Sequence, residues 1–221
     1  MSLKYMPAGT VYGTLLNFAD EYAAMAAQMT QAPYKAQPLA PVLFVKTANT
    51  WSANDTAIAV PRHVLQVEVG ATIAMVIGPR SLADKPAAAT PDVLSYVLMN
   101  DLSLPHASFF RPPVKFKCLD GFLGVGSLLV GAQQAGDPAL FKLQVRINGD
   151  LRQTLDFSHL RRSAAQLLAD VSAFMTLRQG DVLMLGCGAG RPLAQAGDHI
   201  EISAPGLPAF GTLANTLGEA P

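Results

Sequence analysis

The segment LQVEVGATIAMVIG, residues 65–78, is the feature of this sequence that most constrains the fold. It is the strongest β-strand signal in the chain, because it is rich in Val and Ile and ends at the turn pair Gly78 and Pro79. Side chains alternate between the two faces of a strand, so Glu68, Gly70 and Thr72 should share one face. The fold therefore has to provide a sheet around this strand.

Two other segments carry clear strand signals. VLFVK predicts a short buried strand that ends at Lys46. FKLQVRINGDLRQTLDF predicts a hairpin with Asn148 and Gly149 at its turn, since this dipeptide suits the two-residue turns that join antiparallel strands.

Three segments are predicted to be helical. Residues 19–29 are rich in Ala and Met, which favour helix. A second helix should open near Pro91, because proline suits the first helical position. The third, SAAQLLADVSAFMTL, is amphipathic and has Ser163 as its N-cap. Strands and helices do not alternate regularly enough for a doubly wound sheet, so the expected fold class is β-rich α+β.

The composition limits the partners. Charged residues make up only 14% of the chain, well below the roughly 25% of an average soluble protein. Such low charge favours an oligomer in which a partner covers part of the apolar surface. The formal net charge is zero, so we expect binding neither to nucleic acid nor to a membrane. Because there is no secretory signal and no run of the ~18 apolar residues that a bilayer requires, we expect a cytoplasmic protein.

Several common sites find no support in the sequence. GCGAGRP, residues 186–192, follows a strand but has neither the GxGxxG spacing nor the Lys-Ser/Thr pair of phosphate-binding loops. It is better interpreted as a flexible loop that could border a ligand. The histidines have no metal-ligand spacing, no serine lies in a GxSxG elbow, and Cys118 and Cys187 form no metal pair.

The segment RPPVKFKCLDGF, residues 111–122, gathers charge in a chain that has little of it. Arg111, Lys115 and Lys117 lie here with Asp120, and Asp101 precedes them. Arginine offers a bidentate fork and lysine a mobile point charge, so this group suits a carboxylate ligand. The alternative, in which Asp101 is incidental and Arg111 and Lys115 are solvated, stays open at this point.

A series of segments resembles the fumarylacetoacetate hydrolase family in order over nearly the whole chain: PVLFVK, VEVGATIAMVIG, YVLMNDLS, KCLDGFLGVGSLLV, VRINGDLRQ and AGDHIEISAPGLPAFGTL. NDLSLP and RPPVKFKCLDGF are most similar to one branch, the N-terminal repeat of the bifunctional decarboxylase/isomerases of 4-hydroxyphenylacetate (homoprotocatechuate) degradation. The resemblance implies a β-rich mixed-sheet roll with a few flanking helices. It also implies a single domain over residues 1–221, with a lid segment in about 1–40 and a catalytic-type core in about 41–221.

The resemblance implies Mg²⁺ or another divalent cation on three carboxylates, two from a Glu-x-Glu pair and one from an Asp. On this chain the pair falls on Gly70 and Thr72, and the third ligand is Asp101. One carboxylate is a poor site for Mg²⁺, although Glu68 on the same face could partly substitute. The sequence therefore predicts no definite cofactor.

The resemblance also implies roles for the charged residues. Lys117 falls on the substrate lysine of the family, and Glu21 stands where many relatives carry the His of a proton shuttle. We expect Lys117 and Lys46 to act as electrophiles and Asp101 or Glu21 to move the proton, although Glu21 could equally be an exposed helix residue. The predicted substrate-binding residues are Lys46, Arg111, Lys115 and Asp120.

The branch implies decarboxylation of 5-oxopent-3-ene-1,2,5-tricarboxylate, and it could also isomerise the product, 2-hydroxyhepta-2,4-diene-1,7-dioate. A substrate with three carboxylates would use several cations. Two alternatives remain, a non-catalytic partner that completes a metal-binding sister subunit and a fumarylpyruvate-type carbon–carbon hydrolase. The expected assembly is a homodimer or a heteromer with a sister subunit of the same family.

Overall fold

Strands dominate the fold. The computed structural model describes residues 4–79, 90–106, 108 and 110–220. The strands, in chain order, are β1 (Val11–Leu15), β2 (Val42–Lys46), β3 (Trp51–Ala53), β4 (Thr56–Val60), β5 (Val67–Glu68), β6 (Ala71–Ile77), β7 (Val93–Asp101), β8 (Leu123–Val125), β9 (Val130–Gly131), β10 (Lys142–Ile147), β11 (Asp150–Asp156), β12 (Val182–Met184), β13 (Leu193–Ala194), β14 (His199–Ser203) and β15 (Thr212–Glu219).

Two sheets carry most of these strands. The larger has eight strands in the order β2-β1-β12-β6-β7-β8-β3, with β9 paired to β7. A five-stranded sheet has the order β11-β10-β14-β15-β4, and β13 and β5 form a two-stranded ribbon. Parallel pairs occur among mostly antiparallel ones, between β1 and β12, β3 and β8, and β15 and β4. The predicted β-rich α+β fold with mixed sheets is confirmed.

Strand β6 lies at the centre of the fold, and all its residues are buried. Ile73 and Met75 pack into an apolar core shared with the five-stranded sheet, whereas Ala74 and Val76 pack into a second core beside β1, β2 and β12. A strand that is buried on both faces needs a nearly continuous apolar sequence. Burial on both faces therefore explains the apolar segment from which the strand was predicted. The segment forms two strands rather than one, because the pairing is interrupted between β5 and β6.

Four α-helices flank the sheets in the described part of the chain: α1 (Ala19–Met29), α2 (Val114–Lys117), α3 (Ala132–Ala135) and α4 (Ala164–Ser172). Helix α1 has the predicted bounds. The Ser163 hydroxyl accepts a hydrogen bond from the Gln166 N–H, so the predicted N-cap of α4 is confirmed. No helix that the structure describes is both long and apolar enough to cross a membrane.

The hairpin prediction is also confirmed, since β10 pairs with β11. Asn148 and Gly149 have φ angles of 54° and 85°, as a two-residue turn with two positive φ angles requires. Strand β2 ends at Lys46, as predicted.

The predicted helix near Pro91 is wrong. The chain forms β7 instead, between β6 and β8, while residues 80–89 of the predicted segment lie outside the described residues. Residues 95–101 are all buried, and a short apolar run buried on both faces does not show by its periodicity whether it is strand or helix. The consequence for the site is that Asp101 ends a central strand rather than a helix.

Candidate active site

Asp101, at the end of β7, lies between two lysines. Its side chain is 1% exposed, with Lys117 Nζ 2.6 Å from Oδ2 and Lys46 Nζ 2.8 Å from Oδ1. Burial alone would favour the neutral carboxyl group, but the Lys117 and Lys46 ammonium groups outweigh it and hold the pKa of Asp101 well below its usual range. Asp101 is therefore an ionised, fixed carboxylate.

Lys46 is held by the backbone from all sides. Its Nζ donates hydrogen bonds to the carbonyl oxygens of Leu102 (2.8 Å), Lys117 (2.6 Å) and Phe122 (2.7 Å). These three bonds use all the N–H groups of an ammonium, so the contact with Asp101 Oδ1 is an ion pair without a hydrogen bond among the described residues. Burial lowers the pKa of Lys46 to about 8, although Asp101 acts in the opposite direction. In this arrangement Lys46 has no N–H left for a ligand.

Lys117, the last residue of α2, is placed differently. Its Nζ donates one hydrogen bond to Asp101 Oδ2 and lies 4.4 Å from the centre of the Phe44 ring. Lys117, Phe44 and the exposed Arg111 line an open pocket of about 470 Å³. A cavity of about 550 Å³ beside Met75 and α4 contains none of the predicted site residues.

A second group of paired charges consists of Glu21, Arg191 and Glu68. Leu16 has a φ angle of 61°, and its N–H donates to Glu21 Oε2 at 2.6 Å, which fixes Glu21 at the start of α1. Arg191, in the loop after β12, reaches Glu21 Oε1 at 2.7 Å with Nη2 and Glu68 Oε2 at 3.5 Å with Nη1. The Arg191 side chain is only 8% exposed.

Sequence reasoning missed Arg191 as a site residue. The available signal was the glycine-rich segment GCGAGRP, interpreted as a loop that could border a ligand. Arg191 and Glu21 are 170 positions apart, so only the tertiary fold reveals their pairing.

The pKa values of this second group differ from those around Asp101. Burial raises the pKa of Glu21, and it prevails over the opposing effects of Arg191, the Leu16 N–H and Lys117. Burial acts against the charge of Arg191, but surrounding acidic groups, among them Cys187, Glu21 and Asp101, raise its pKa. Glu21 therefore keeps its proton up to a higher pH than Asp101 does.

The two ion-paired groups interact electrostatically, since Lys117 opposes the rise in the pKa of Glu21 and Arg191 helps to lower the pKa of Asp101. We define them together as the charge cluster, which consists of Lys46, Lys117, Arg191, Asp101, Glu21 and Glu68. Three cations face three carboxylates, so the cluster is neutral when all six groups are ionised. Neutrality inside the fold matters because an unpaired buried charge is strongly destabilising.

The residues of the cluster do not fit a divalent cation. A Cβ atom added at Gly70 would lie 2.5 Å from the Asp101 carbonyl oxygen and 3.2 Å from Asp101 Cβ, so a carboxylate side chain has no room there. Thr72 instead donates a hydrogen bond of 2.6 Å to the Gly186 carbonyl oxygen. Glu68 is turned toward Arg191 and Ser103. Among the described residues, no three His, Cys, Asp or Glu side chains are grouped so that they could hold a metal ion.

The remaining predicted site residues lie apart from the cluster. Arg111 is exposed on the wall of the pocket. Lys115 is exposed on α2. Asp120 is exposed and accepts a hydrogen bond of 2.6 Å from Asn49 Nδ2, which fastens its own loop. The structure thus brings together Lys46, Lys117, Asp101 and Glu21, but not Lys115 or Asp120.

A family model and several curated proteins match this sequence. The profile described as fumarylacetoacetate (FAA) hydrolase C-terminal matches residues 10–218. The chain is 36% identical over 202 residues to the 4-hydroxyphenylacetate degradation bifunctional isomerase/decarboxylase of Salmonella dublin, covering 91% of this chain and 46% of that protein. It is 34% identical to the homoprotocatechuate catabolism bifunctional isomerase/decarboxylase of Escherichia coli, covering 90% of this chain and 46% of that protein. The chain therefore spans about half the length of the curated relatives it matches.

A solved structure extends the similarity to the fold. The X-ray structure of 5-carboxymethyl-2-hydroxymuconate delta-isomerase from Mycobacterium smegmatis matches with a TM-score of 0.76 and 28% sequence identity. The match covers 99% of this chain and 82% of that one.

Proposed function

The chain belongs to the fumarylacetoacetate hydrolase family, and on this premise we propose that it is the decarboxylase subunit for 5-oxopent-3-ene-1,2,5-tricarboxylate in 4-hydroxyphenylacetate breakdown. One observation carries the proposal. Lys117, whose buried ammonium donates a hydrogen bond to the ionised Asp101 and lies over the Phe44 ring, is in the wall of an open pocket that Arg111 also lines. A buried cation behind the wall of a pocket, with a second, exposed cation on that wall, suits a substrate with several carboxylates.

The similarity to bifunctional isomerase/decarboxylases supports the pathway and the class of reaction. Because the chain covers only 46% of each of these relatives, the assignment of decarboxylation to this half belongs to the proposal. So does the assembly, a homodimer or a heteromer with a sister subunit of the same family.

The reaction needs positive charge at one oxygen. When the bond from C2 to its carboxylate breaks, CO2 leaves, and the electron pair moves through the C3–C4 double bond onto the C5 oxo group. The resulting dienolate takes a proton on oxygen and becomes 2-hydroxyhepta-2,4-diene-1,7-dioate. A lysine ammonium in a pocket with little water stabilises such developing negative charge more strongly than it would in bulk water.

Two residues take complementary parts. Asp101 is held ionised by Lys117 and Lys46, so it orients the Lys117 ammonium and is not the proton donor. Glu21 has a raised pKa, and we assign it the proton transfer. Because Lys117 has no exposed surface under Phe44, substrate contact requires the Phe44 side of the pocket to open.

The experiment measures CO2 release from the tricarboxylate by the purified chain, after chelation and again with added Mg²⁺. The test variant is Lys117→Met, and Lys115→Met, an exposed lysine of the same helix, is the matched control. We expect kcat to fall by about 10²–10³ in Lys117→Met, the size of effect seen when one charge-stabilising donor is removed, and to stay within about twofold in Lys115→Met. Turnover by Lys117→Met at the wild-type rate would overturn the assignment.

A second candidate, a non-catalytic partner of a metal-binding sister subunit, is favoured by the neutrality of the charge cluster. All N–H groups of Lys46 already have partners inside the chain, and Arg191 pairs with Glu21 through Nη2 and with Glu68 through Nη1. On this hypothesis the isolated chain releases no CO2 in any condition, and addition of the sister subunit restores a rate that Lys117→Met leaves unchanged.

A further inference from the structure

We propose that the guanidinium of Arg191 takes the place of the divalent cation that the family resemblance implies, so that the charge cluster is completed by the chain itself and binds no divalent metal. The inference concerns binding and stability, and it holds for either candidate function.

Acidic side chains from separate elements converge on Arg191. Glu21 belongs to α1 and Glu68 to β5, and both contact the guanidinium, through Nη2 and Nη1. Asp101, at the end of β7, acts on it electrostatically. Two carboxylates from separate elements thus contact one side-chain cation, and the carboxylate of a third element acts on it without direct contact among the ion pairs of the described residues.

The two positions where the resemblance places metal-binding glutamates, Gly70 and Thr72, carry no carboxylate. The close approach of the Asp101 backbone to Gly70 leaves no room for a longer side chain, and the Thr72 hydroxyl is bonded to Gly186. A planar guanidinium with several donors can instead pair with two carboxylates at once.

The charge cluster already contains three side-chain cations. Lys117 and Lys46 neutralise Asp101, and Arg191 pairs with Glu21 and Glu68. A divalent ion added to the cluster would face these three cations in a buried setting, where repulsion is poorly screened.

Hydrogen bonds hold the loop that carries Arg191 in place. The Ala189 N–H donates to Asp20 Oδ2, and Gln153 Nε2 donates to the Ala189 carbonyl oxygen, so the loop before Arg191 is tied to both α1 and β11. Gly186 begins this loop with a φ angle of 108°, a conformation that favours glycine. The guanidinium is thus held in place by the fold.

The first test needs no variant. Mn²⁺ is titrated into the full chain while its free electron paramagnetic resonance signal is followed, and the melting temperature is measured with EDTA and with excess Mn²⁺. We expect no loss of the free Mn²⁺ signal and the same melting temperature in both conditions. Binding of one Mn²⁺ per chain with an accompanying rise in melting temperature would overturn the proposal.

The second test uses a double-mutant cycle on unfolding by urea, with Arg191→Met, Glu21→Gln and the double variant. Removing only the arginine leaves buried carboxylates without a partner, so the unfolding equilibrium constant should rise by about 100-fold or more. The double variant should be much less destabilised than the sum of the two single variants, because neither buried charge of the pair is then left alone. Additive effects would contradict the proposal, since a guanidinium that completes the cluster must be coupled to Glu21.

Discussion

The two ends of the charge cluster differ in how they are built and in how they should respond to pH. At the Asp101 end, the carboxylate and both lysines are fully buried and come from β7, β2 and α2. At the Glu21 end, α1 and the loop after β12 supply the charges, and the Glu68 side chain is 24% exposed. The Asp101 end is built on two strands of the large sheet and the helix α2, and the Glu21 end is assembled from segments outside that sheet.

The pKa shifts of the two ends have opposite signs. The pKa of Asp101 is lower in the folded protein than its ordinary value, so its contribution to stability is present above that ordinary value and is lost as the pH falls through the folded one. The pKa of Glu21 is raised, so its contribution is present below the ordinary value and is lost as the pH rises through the folded one. One cluster can therefore hold a permanent anion, Asp101, and a carboxyl group that exchanges its proton, Glu21.

The largest effect on stability should follow from removing the Asp101 carboxylate. Asp101→Asn keeps the shape but leaves two buried ammonium groups without their carboxylate, so the free energy of unfolding should fall by about 3–5 kcal/mol. Urea denaturation measures this, with Asp120→Asn as the exposed control, expected within about 0.5 kcal/mol of wild type. An equal effect of the two substitutions would remove the distinction between a paired buried carboxylate and a surface one.

A smaller effect should follow from crowding the same end. In Gly70→Ala, the new Cβ would meet the Asp101 backbone oxygen at 2.5 Å, so we expect a loss of about 1–3 kcal/mol from overpacking. Gly131→Ala is the matched control, because no atom lies within 4 Å of its added Cβ. If both variants have wild-type stability, then position 70 has room for a side chain and the reason for excluding a carboxylate there is wrong.

The Glu21 end can be separated from the Asp101 end by its pH dependence. As the pH rises above about 4.3, the ordinary value for Glu, wild type should lose stability relative to Glu21→Gln. The slope cannot exceed about 1.4 kcal/mol per pH unit for one proton. Denaturation curves across the pH range give the difference, with the exposed Glu219→Gln as control. A difference that changes in the opposite direction would mean that the pKa of Glu21 is lowered.

The smallest expected effect lies on the pocket wall, away from both ends. Arg111 lines the pocket and Lys115 does not, so Arg111→Met should raise the KM for the tricarboxylate by about twofold to fivefold, in line with the small contribution of exposed ion pairs. Lys115→Met should leave KM unchanged. Steady-state kinetics of the two variants decide whether the cations of this segment act together or separately.

Much of the fold could be predicted because local signals agreed with the tertiary setting. Asn148 and Gly149 fix a hairpin turn by their backbone preferences, and Ser163 caps α4 through its own hydroxyl. The apolar run of β6 is required by burial on both faces. The helix predicted near Pro91 was wrong because a central strand and a buried helix can have similar apolar composition.

The site was predicted less completely than the fold. Asp101, Lys117, Lys46 and Glu21 were chosen from charge and family resemblance, and they do lie together. The backbone bonding of Lys46 was not predictable, because its three acceptors are 56 to 76 positions away along the chain. Arg191 was missed because its partners come from the opposite end of the sequence.

A pH titration of the side-chain carboxyl groups by carbon-13 NMR, with resonances assigned by Asp101→Asn and Glu21→Gln, tests directly whether the pKa values of the two ends are shifted in opposite directions. We expect Asp101 to stay ionised at pH values where ordinary aspartates have taken up a proton, and Glu21 to take up its proton at a higher pH than ordinary glutamates. Titration of both groups at ordinary values, or protonation of Asp101 before Glu21 on acidification, would contradict this expectation.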